Sequence, residues 1–303
     1  MKFDDSDSWA ILSEIEKSIK SKIDAVGTPL KDWDIQINFG IKTGFNDAFI
    51  IDSQTKDEIL SKCTSAYERV RTTEIIQPIL RGRDIKRYSY QYAGLYLIST
   101  FPAKGYDIDD YPAVKDFLLK FGIERLEQTG KEHIINGERV KARKKTSNKW
   151  YETQDSISYW DLLSQPKIIW GEISDKSKFC IDLHGRYVPE ATTFMLSGEN
   201  LIYLLAFLNC SVSEYLFSII GTTTGVGTVR WKKYKILELP VPKSIPNDLY
   251  SQLLEVCSQT IESSDNDSNE SKINSIIYQV YGLSEDEIEF IESKIYPSKH
   301  SSL

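Results

Sequence analysis

Three stretches of this 303-residue chain interleave cations with aromatic rings. Those residue types can neutralise phosphates and stack on bases. In the first, Arg81, Arg83, Lys86 and Arg87 precede Tyr88, Tyr90 and Tyr92. In the second, Lys141, Arg143, Lys144, Lys145 and Lys149 precede Trp150 and Tyr151. In the third, Arg230, Trp231, Lys232, Lys233, Tyr234 and Lys235 follow a glycine-rich run, GTTTGVGTV. Any one of them reads equally well as a solvated loop. Three on one chain point to double-stranded DNA as a partner. Arg143 and Arg230 are the candidates for base or phosphate contact, because a guanidinium can grip guanine with two bonds. Lys144, Lys145, Lys232 and Lys233 suit phosphate alone, and Lys149 joins them as a DNA-binding candidate. Arg81 and Arg83 could bind DNA or pair with an acid such as Asp84.

A net charge of −7 appears to oppose that reading, but the charge is uneven. Residues 1–34 carry −3 and residues 244–303 carry −8, which leaves +4 for residues 35–243. The local field steers association more than the total does. The division expected is therefore an N-terminal helical lead-in (1–34), a mildly basic recognition domain (35–243) and an acidic helical tail (244–303).

Several catalytic chemistries lack their parts. Amino-methylation of adenine needs an Asn/Asp-Pro-Pro-aromatic loop to hold the flipped base, and none of the 10 prolines is adjacent to another. No glycine-rich turn follows a first strand to receive S-adenosylmethionine. Gly225-Val226-Gly227 follows a helical run and lacks the lysine of a P-loop. Asp84-Ile85-Lys86, Glu270-Ser271-Lys272 and Glu292-Ser293-Lys294 match only the short tail of a metal-dependent nuclease motif, which recurs by chance in a chain this charged. Cys63, Cys180, Cys210 and Cys257 form no C-x-x-C pair, and the three histidines are scattered. No catalytic residue and no metal site is expected. The cysteines read as reduced and the acidic residues 1–8 as no signal peptide, so a cytoplasmic protein is expected.

The elements that must carry these residues follow from periodicity. Residues 8–26 place Ile11, Ile15, Ile19 and Ile23 on one helical face, with Ser8 as N-cap and Gly27 and Pro29 as the stop. Residues 35–52 read as a hairpin, 54–70 as a helix and 75–100 as two strands around RGRDIKRYS. Residues 111–128 read as an amphipathic helix, and 129–149 as a long polar stretch. Strands are expected at 167–172, 178–183, 186–195 and 235–241, a buried helix at 199–219 and a flexible loop at 221–229. The helix at 199–219 is apolar enough for a membrane check. Asn209, Ser211, Ser213 and Glu214 favour a core helix instead. The tail reads as a helix at 248–263 and one or two more at 271–294, the second capped by Ser284 and Glu287. The fold class expected is α+β: a mixed, mostly antiparallel sheet with packed helices at 111–128 and 199–219, plus a C-terminal helical arm.

Several segments in order resemble the TaqI-like C-terminal specificity domain of restriction-modification enzymes. Gly40-Ile41-Lys42-Thr43-Gly44-Phe45-Asn46-Asp47-Ala48-Phe49 resembles its G-I-x-T-G-x-N-x-A-F segment, and Pro78 through Ile85 its P-x-L-R-G-R-D-I segment. Trp150-Tyr151-Glu152 and then Pro166 through Trp170 resemble its K-W-Y-E and P-K-I-I-W segments. Asn200 through Asn209 resembles its N-L-x-x-L-L-A-L-L-N helix, and Arg230-Trp231 with Leu239 through Pro242 its closing R-W and L-P-I-P. The resemblance implies the target-reading half of a type IIG or related adenine-specific DNA methyltransferase. A separate methyltransferase domain or subunit would be its partner, and S-adenosylmethionine would bind there and not in this chain. The motif residues are mostly Gly, Pro and apolar, so they suit a scaffold. The base readers are expected outside them, at 131–149 and 221–233.

Overall fold

The structure is a computed structural model that describes residues 12–220, 222–223, 229–263 and 267–296. Contacts gather the chain into two compact units that interleave in sequence. One comprises residues 35–201 and 223–233, the other residues 1–34, 202–222 and 234–303. The acidic tail thus shares a unit with the N-terminal helix and with the apolar helical segment after 201, which sequence alone places in the middle of the chain.

The first unit is built on two four-stranded sheets. One runs Phe179–Asp182, Lys167–Gly171, Thr193–Gly198, Ile35–Phe39, with every neighbouring pair antiparallel. The strand Lys167–Gly171 is buried throughout: Ile168, Ile169 and Trp170 are apolar, and Lys167 is buried as the ion-pair partner of Asp182 at 2.9 Å. The other runs Val188–Pro189, Ile76–Leu80, Leu95–Ile98, Ile50–Asp52, and only its first pair is parallel. The main core of this unit includes Phe49, Ile79, Leu97, Val114, Leu118 and Leu126, all fully buried. Each contributes roughly 1.5–3 kcal/mol through loss of apolar surface from water.

Residues 35–52 are not a hairpin. Ile35–Phe39 and Ile50–Asp52 lie in different sheets, joined through a helical turn at Asn46–Phe49. The reason is local. The Gly40 backbone runs so close to Glu190 that a Cβ there would stand 1.9 Å from the Glu190 carbonyl oxygen. Ile41 then bridges Glu190 in parallel, which carries the chain onto a new path. The helix expected at 54–70 is two, Ser53–Ser61 and Ala66–Ile75. Ser65 caps the second, and the buried Glu68 carboxylate accepts from Thr64 and Ala113. The helix expected at 111–128 breaks at Gly122 (φ +80°) into Pro112–Leu119 and Ile123–Leu126. The strand expected at 186–195 is also split, between two sheets.

In the second unit, the helix Glu14–Val26 buries Ile19 and Ile23. Its N-cap is Ser13, in a capping box with Glu16; Ser8 lies outside the described residues. The helix expected at 199–219 is a pair, Leu201–Asn209 and Ser211–Ile220, bent by 61°. Among the described residues no single helix is long and apolar enough to cross a membrane. Residues 233–236 form a helical turn, and the strand is confined to Pro240–Val241, paired with Thr28–Pro29. The helices Asn247–Glu262, Asp267–Tyr281 and Glu285–Ile295 complete the unit, the last with the Ser284–Glu287 capping box in place. Their apolar faces bury Leu253, Cys257, Ile273 and Ile277 fully.

Candidate nucleic-acid interface

The structure removes Arg143 from any DNA-facing surface. Its side chain is 2% exposed. The guanidinium donates from Nε to the Leu126 carbonyl (2.7 Å), from Nη1 to the carbonyls of Thr43 (2.8 Å) and Glu152 (2.7 Å), and from Nη2 to that of Trp150 (2.6 Å). It lies 4.9 Å from the centre of the Phe49 ring. Burial, helped by the nearby Arg125, pushes its pKa down to about 10. The planar fork satisfies four backbone acceptors at once, one more than the three N–H groups of an ammonium could. Arg143 is therefore a rivet that joins segments around 43, 126 and 150–152.

Arg81 is also structural. It grips Asp84 with two bonds, Nε to Oδ2 (3.0 Å) and Nη2 to Oδ1 (2.7 Å), while its own backbone N–H donates to the same carboxylate. Burial pushes the Asp84 carboxyl up, but the bonds from Arg81 outweigh it and hold its pKa below the ordinary value. That leaves Asp84 engaged as the partner of Arg81. Among the described residues no group of three or more His, Cys, Asp or Glu could hold a metal ion. Arg83 is exposed and lines a cleft of about 530 Å³ with Lys86, Glu172, Asp175 and Lys178. The mixed signs there make it less suited to a polyanion than an all-cation surface.

In the third segment, Arg230 pairs with Glu172 at 3.0 Å and stays 42% exposed. Lys233 donates to the Ile37 carbonyl (2.6 Å), and Lys232 is half-buried. Trp231 is buried, and its carbonyl accepts from Trp170 Nε1 (2.9 Å) in the core. The loop placed at 221–229 falls mostly outside the described residues. Of the aromatic rings expected to meet bases, Tyr88 and Tyr151 are buried like Trp231, Tyr90, Tyr92 and Trp150 are half-buried, and Tyr234 is exposed.

Lys144, Lys145 and Lys149 are exposed, and they stand beside an element that periodicity missed. Residues Glu132–Ile135 and Glu138–Lys141 form an antiparallel ribbon whose only strand pairing among the described residues is with each other. Its turn is Asn136-Gly137, with φ of +52° and +84°. Asn-Gly between two alternating runs is the strongest short hairpin signal, because both positions need positive φ. The polarity of the surrounding stretch obscured it.

The ribbon's base is tied down from both sides. The Ala142 N–H donates to Lys131, that of Gly130 to Arg143, that of Arg143 to Glu127 and that of Thr146 to Gln128, at 2.8–3.0 Å. Arg125 Nη1 donates to the Lys141 carbonyl at 2.6 Å. A Cβ on Gly130 would stand 3.5 Å from that of Lys145, so Lys145 runs alongside the ribbon's entry. Lys131, Arg139, Lys141, Lys144, Lys145 and Lys149 are all exposed, against only Glu132 and Glu138 in the same stretch. This is the most one-signed surface among the three segments, and the rivet Arg143 holds its base.

Comparison with known proteins decides what scaffold presents it. The TaqI-like C-terminal specificity domain matches residues 77–241. The chain belongs to the TaqI-like C-terminal specificity domain family. It is 25% identical over 301 residues to the type II methyltransferase M.BstVI of Geobacillus stearothermophilus, covering 97% of this chain and 47% of that protein. It is 22% identical over 288 residues to the type II methyltransferase M.PaeR7I of Pseudomonas aeruginosa, covering 93% and 44%. The chain thus spans less than half the length of these relatives. Among solved structures, its fold resembles part of the type IIL restriction-modification enzyme MmeI, solved in complex with DNA. The TM-score is 0.55 and the identity 11%, over 89% of this chain and 36% of that one. It also resembles part of the type IIG restriction endonuclease BpuSI, with a TM-score of 0.50 and 12% identity over 89% and 34%.

Proposed function

We propose that this chain is the sequence-reading portion of an adenine-N6 DNA methyltransferase of a restriction-modification system. Methyl transfer and S-adenosylmethionine binding belong to a methyltransferase domain or subunit that works with it, in the cytoplasm where the target DNA lies. The observation that carries the reading is the exposed cation cluster at 129–149, built on a specificity-domain scaffold. Such a surface releases counterions from phosphate and fixes the register of the protein on the duplex.

The test is selection from a randomised duplex library by the full 303-residue chain, followed by sequencing of the retained DNA. A short enriched motif supports the reading. The double charge reversal Lys144→Glu/Lys145→Glu should abolish retention. Absence of retention by the unaltered chain at low salt removes DNA recognition from this chain.

A further inference from the structure

We propose that the ribbon Glu132–Lys141 is a major-groove reading element, with Arg139 gripping a guanine and Ile134 packing on the methyl group of a neighbouring thymine. This rests on the DNA-recognition reading above and names the residues that perform it. The register decides which side chains share a face. Ile134 stands opposite Arg139 and Glu132 opposite Lys141, so these four point the same way, while His133, Ile135 and Val140 point to the other side. The two faces differ in burial as well. Glu132, Ile134, Arg139 and Lys141 are exposed, whereas His133, Ile135 and Val140 are half-buried and only Glu138, beside the turn, is exposed on their side. The scaffold therefore supports one face and offers the other.

The offered face has the chemistry of a base reader. Arg139 is 79% exposed and lies 3.5 Å from Glu132, a diagonal pair that holds the guanidinium over the ribbon without burying it. Ile134, 81% exposed, stands directly across from it. An apolar side chain left in water beside an exposed guanidinium, held only by a solvated ion pair with Glu132, matches a thymine methyl next to a guanine, whose O6 and N7 accept a bidentate arginine. Lys141 lies at the end of this face nearest the scaffold, and Lys131, Lys144 and Lys145 adjoin it at the ribbon's base, where phosphates border the groove. The excess of cations here selects a polyanion over a protein partner. Dimensions agree too, because the major groove admits a two-stranded ribbon. Two strands alone are marginal in water and gain from a partner that covers them.

The experiment measures equilibrium affinity of the full chain for its selected duplex and for every single base-pair change in it. Arg139→Ala should reduce discrimination at one or two adjacent G·C positions from tenfold or more to within about twofold, leaving other positions unchanged. Arg139→Lys retains the charge and should lose part of that discrimination, since an ammonium reaches O6 and N7 without the fixed planar fork. Replacing the contacted thymine by uracil should weaken the unaltered chain several-fold and leave Ile134→Ser unaffected. Thermal unfolding midpoints of these exposed-face variants should match that of the unaltered chain, which keeps folding out of the comparison. Unaltered preference at every position in both Arg139 variants overturns the assignment while the recognition function stands. A chain that selects no sequence overturns both.

Discussion

Arg143 Nη1 donates to the carbonyl of Thr43 across 2.8 Å of space and a hundred residues of chain. The residue with the best chemistry for gripping DNA is spent on holding the protein together. Arg143→Ala should leave the carbonyls of Thr43, Leu126, Trp150 and Glu152 without this donor, at about 1–3 kcal/mol for each one that stays buried and unsatisfied. A loss of at least about 3 kcal/mol is expected by urea denaturation. Arg143→Lys should recover only part of it. A midpoint unchanged in both variants contradicts the rivet.

Lys144 and Lys145 should behave in the opposite way. Both are exposed, so Lys144→Ala/Lys145→Ala should leave the unfolding midpoint unaltered. The same variant should weaken binding across all duplex sequences and flatten the log-affinity against log-salt slope by roughly 1 to 2. A slope equal to that of the unaltered chain would place these lysines away from phosphate.

Glu287 gives the second unit a response to acid. Burial pushes its carboxyl up, but bonds from Lys22 Nζ (2.6 Å), Ser18 Oγ (2.7 Å) and the Ser284 N–H (2.7 Å) outweigh it and lower the pKa from 4.5 to about 2. Between those values the unfolded chain binds the proton that the folded chain refuses. The stabilisation is therefore complete above pH ~5 and is lost as pH falls toward 2. Lys22 is partly solvated, so the contribution is on the order of 1–2 kcal/mol. Glu287→Gln should lower stability at pH 7 by that amount and flatten the acid limb of a stability–pH curve. A limb identical to that of the unaltered chain contradicts it.

Gly40 tests the scaffold motif. An alanine methyl there would collide with the Glu190 backbone, and Gly40 itself donates to the Thr193 carbonyl at 2.8 Å. Backbone cannot move aside as a flexible side chain can. Gly40→Ala should cost roughly 1–3 kcal/mol or more, read as a lower denaturation midpoint. A tolerated alanine would mean that the approach of the two strands is looser than observed.

Much of the scaffold is legible in the sequence, because close approach and continuous burial leave local marks. The apolar strand around Trp170 and the Ser284 capping box each follow from a few adjacent residues. The misreadings share a cause. Arg143 looks like Lys144 in sequence, and only the carbonyls converging from residues 43, 126, 150 and 152 distinguish them. Likewise Gly40 looks like a turn glycine, as Gly44 (φ +77°) is, whereas the decisive neighbour of Gly40 is Glu190, distant in the chain. Arg139 was readable in principle, since Asn136-Gly137 marks its hairpin. It is masked because the flanking runs are polar, and Arg143 and Arg230 carry the same guanidinium in runs richer in cations.

The most direct measurement is the affinity of the full chain for its selected duplex relative to a scrambled duplex of the same composition, at about 0.15 M salt, where nonspecific attraction is screened. A ratio of about tenfold or more is expected, falling toward one in Arg139→Ala. Equal affinity of the unaltered chain for the two duplexes would contradict the claim that this chain reads sequence.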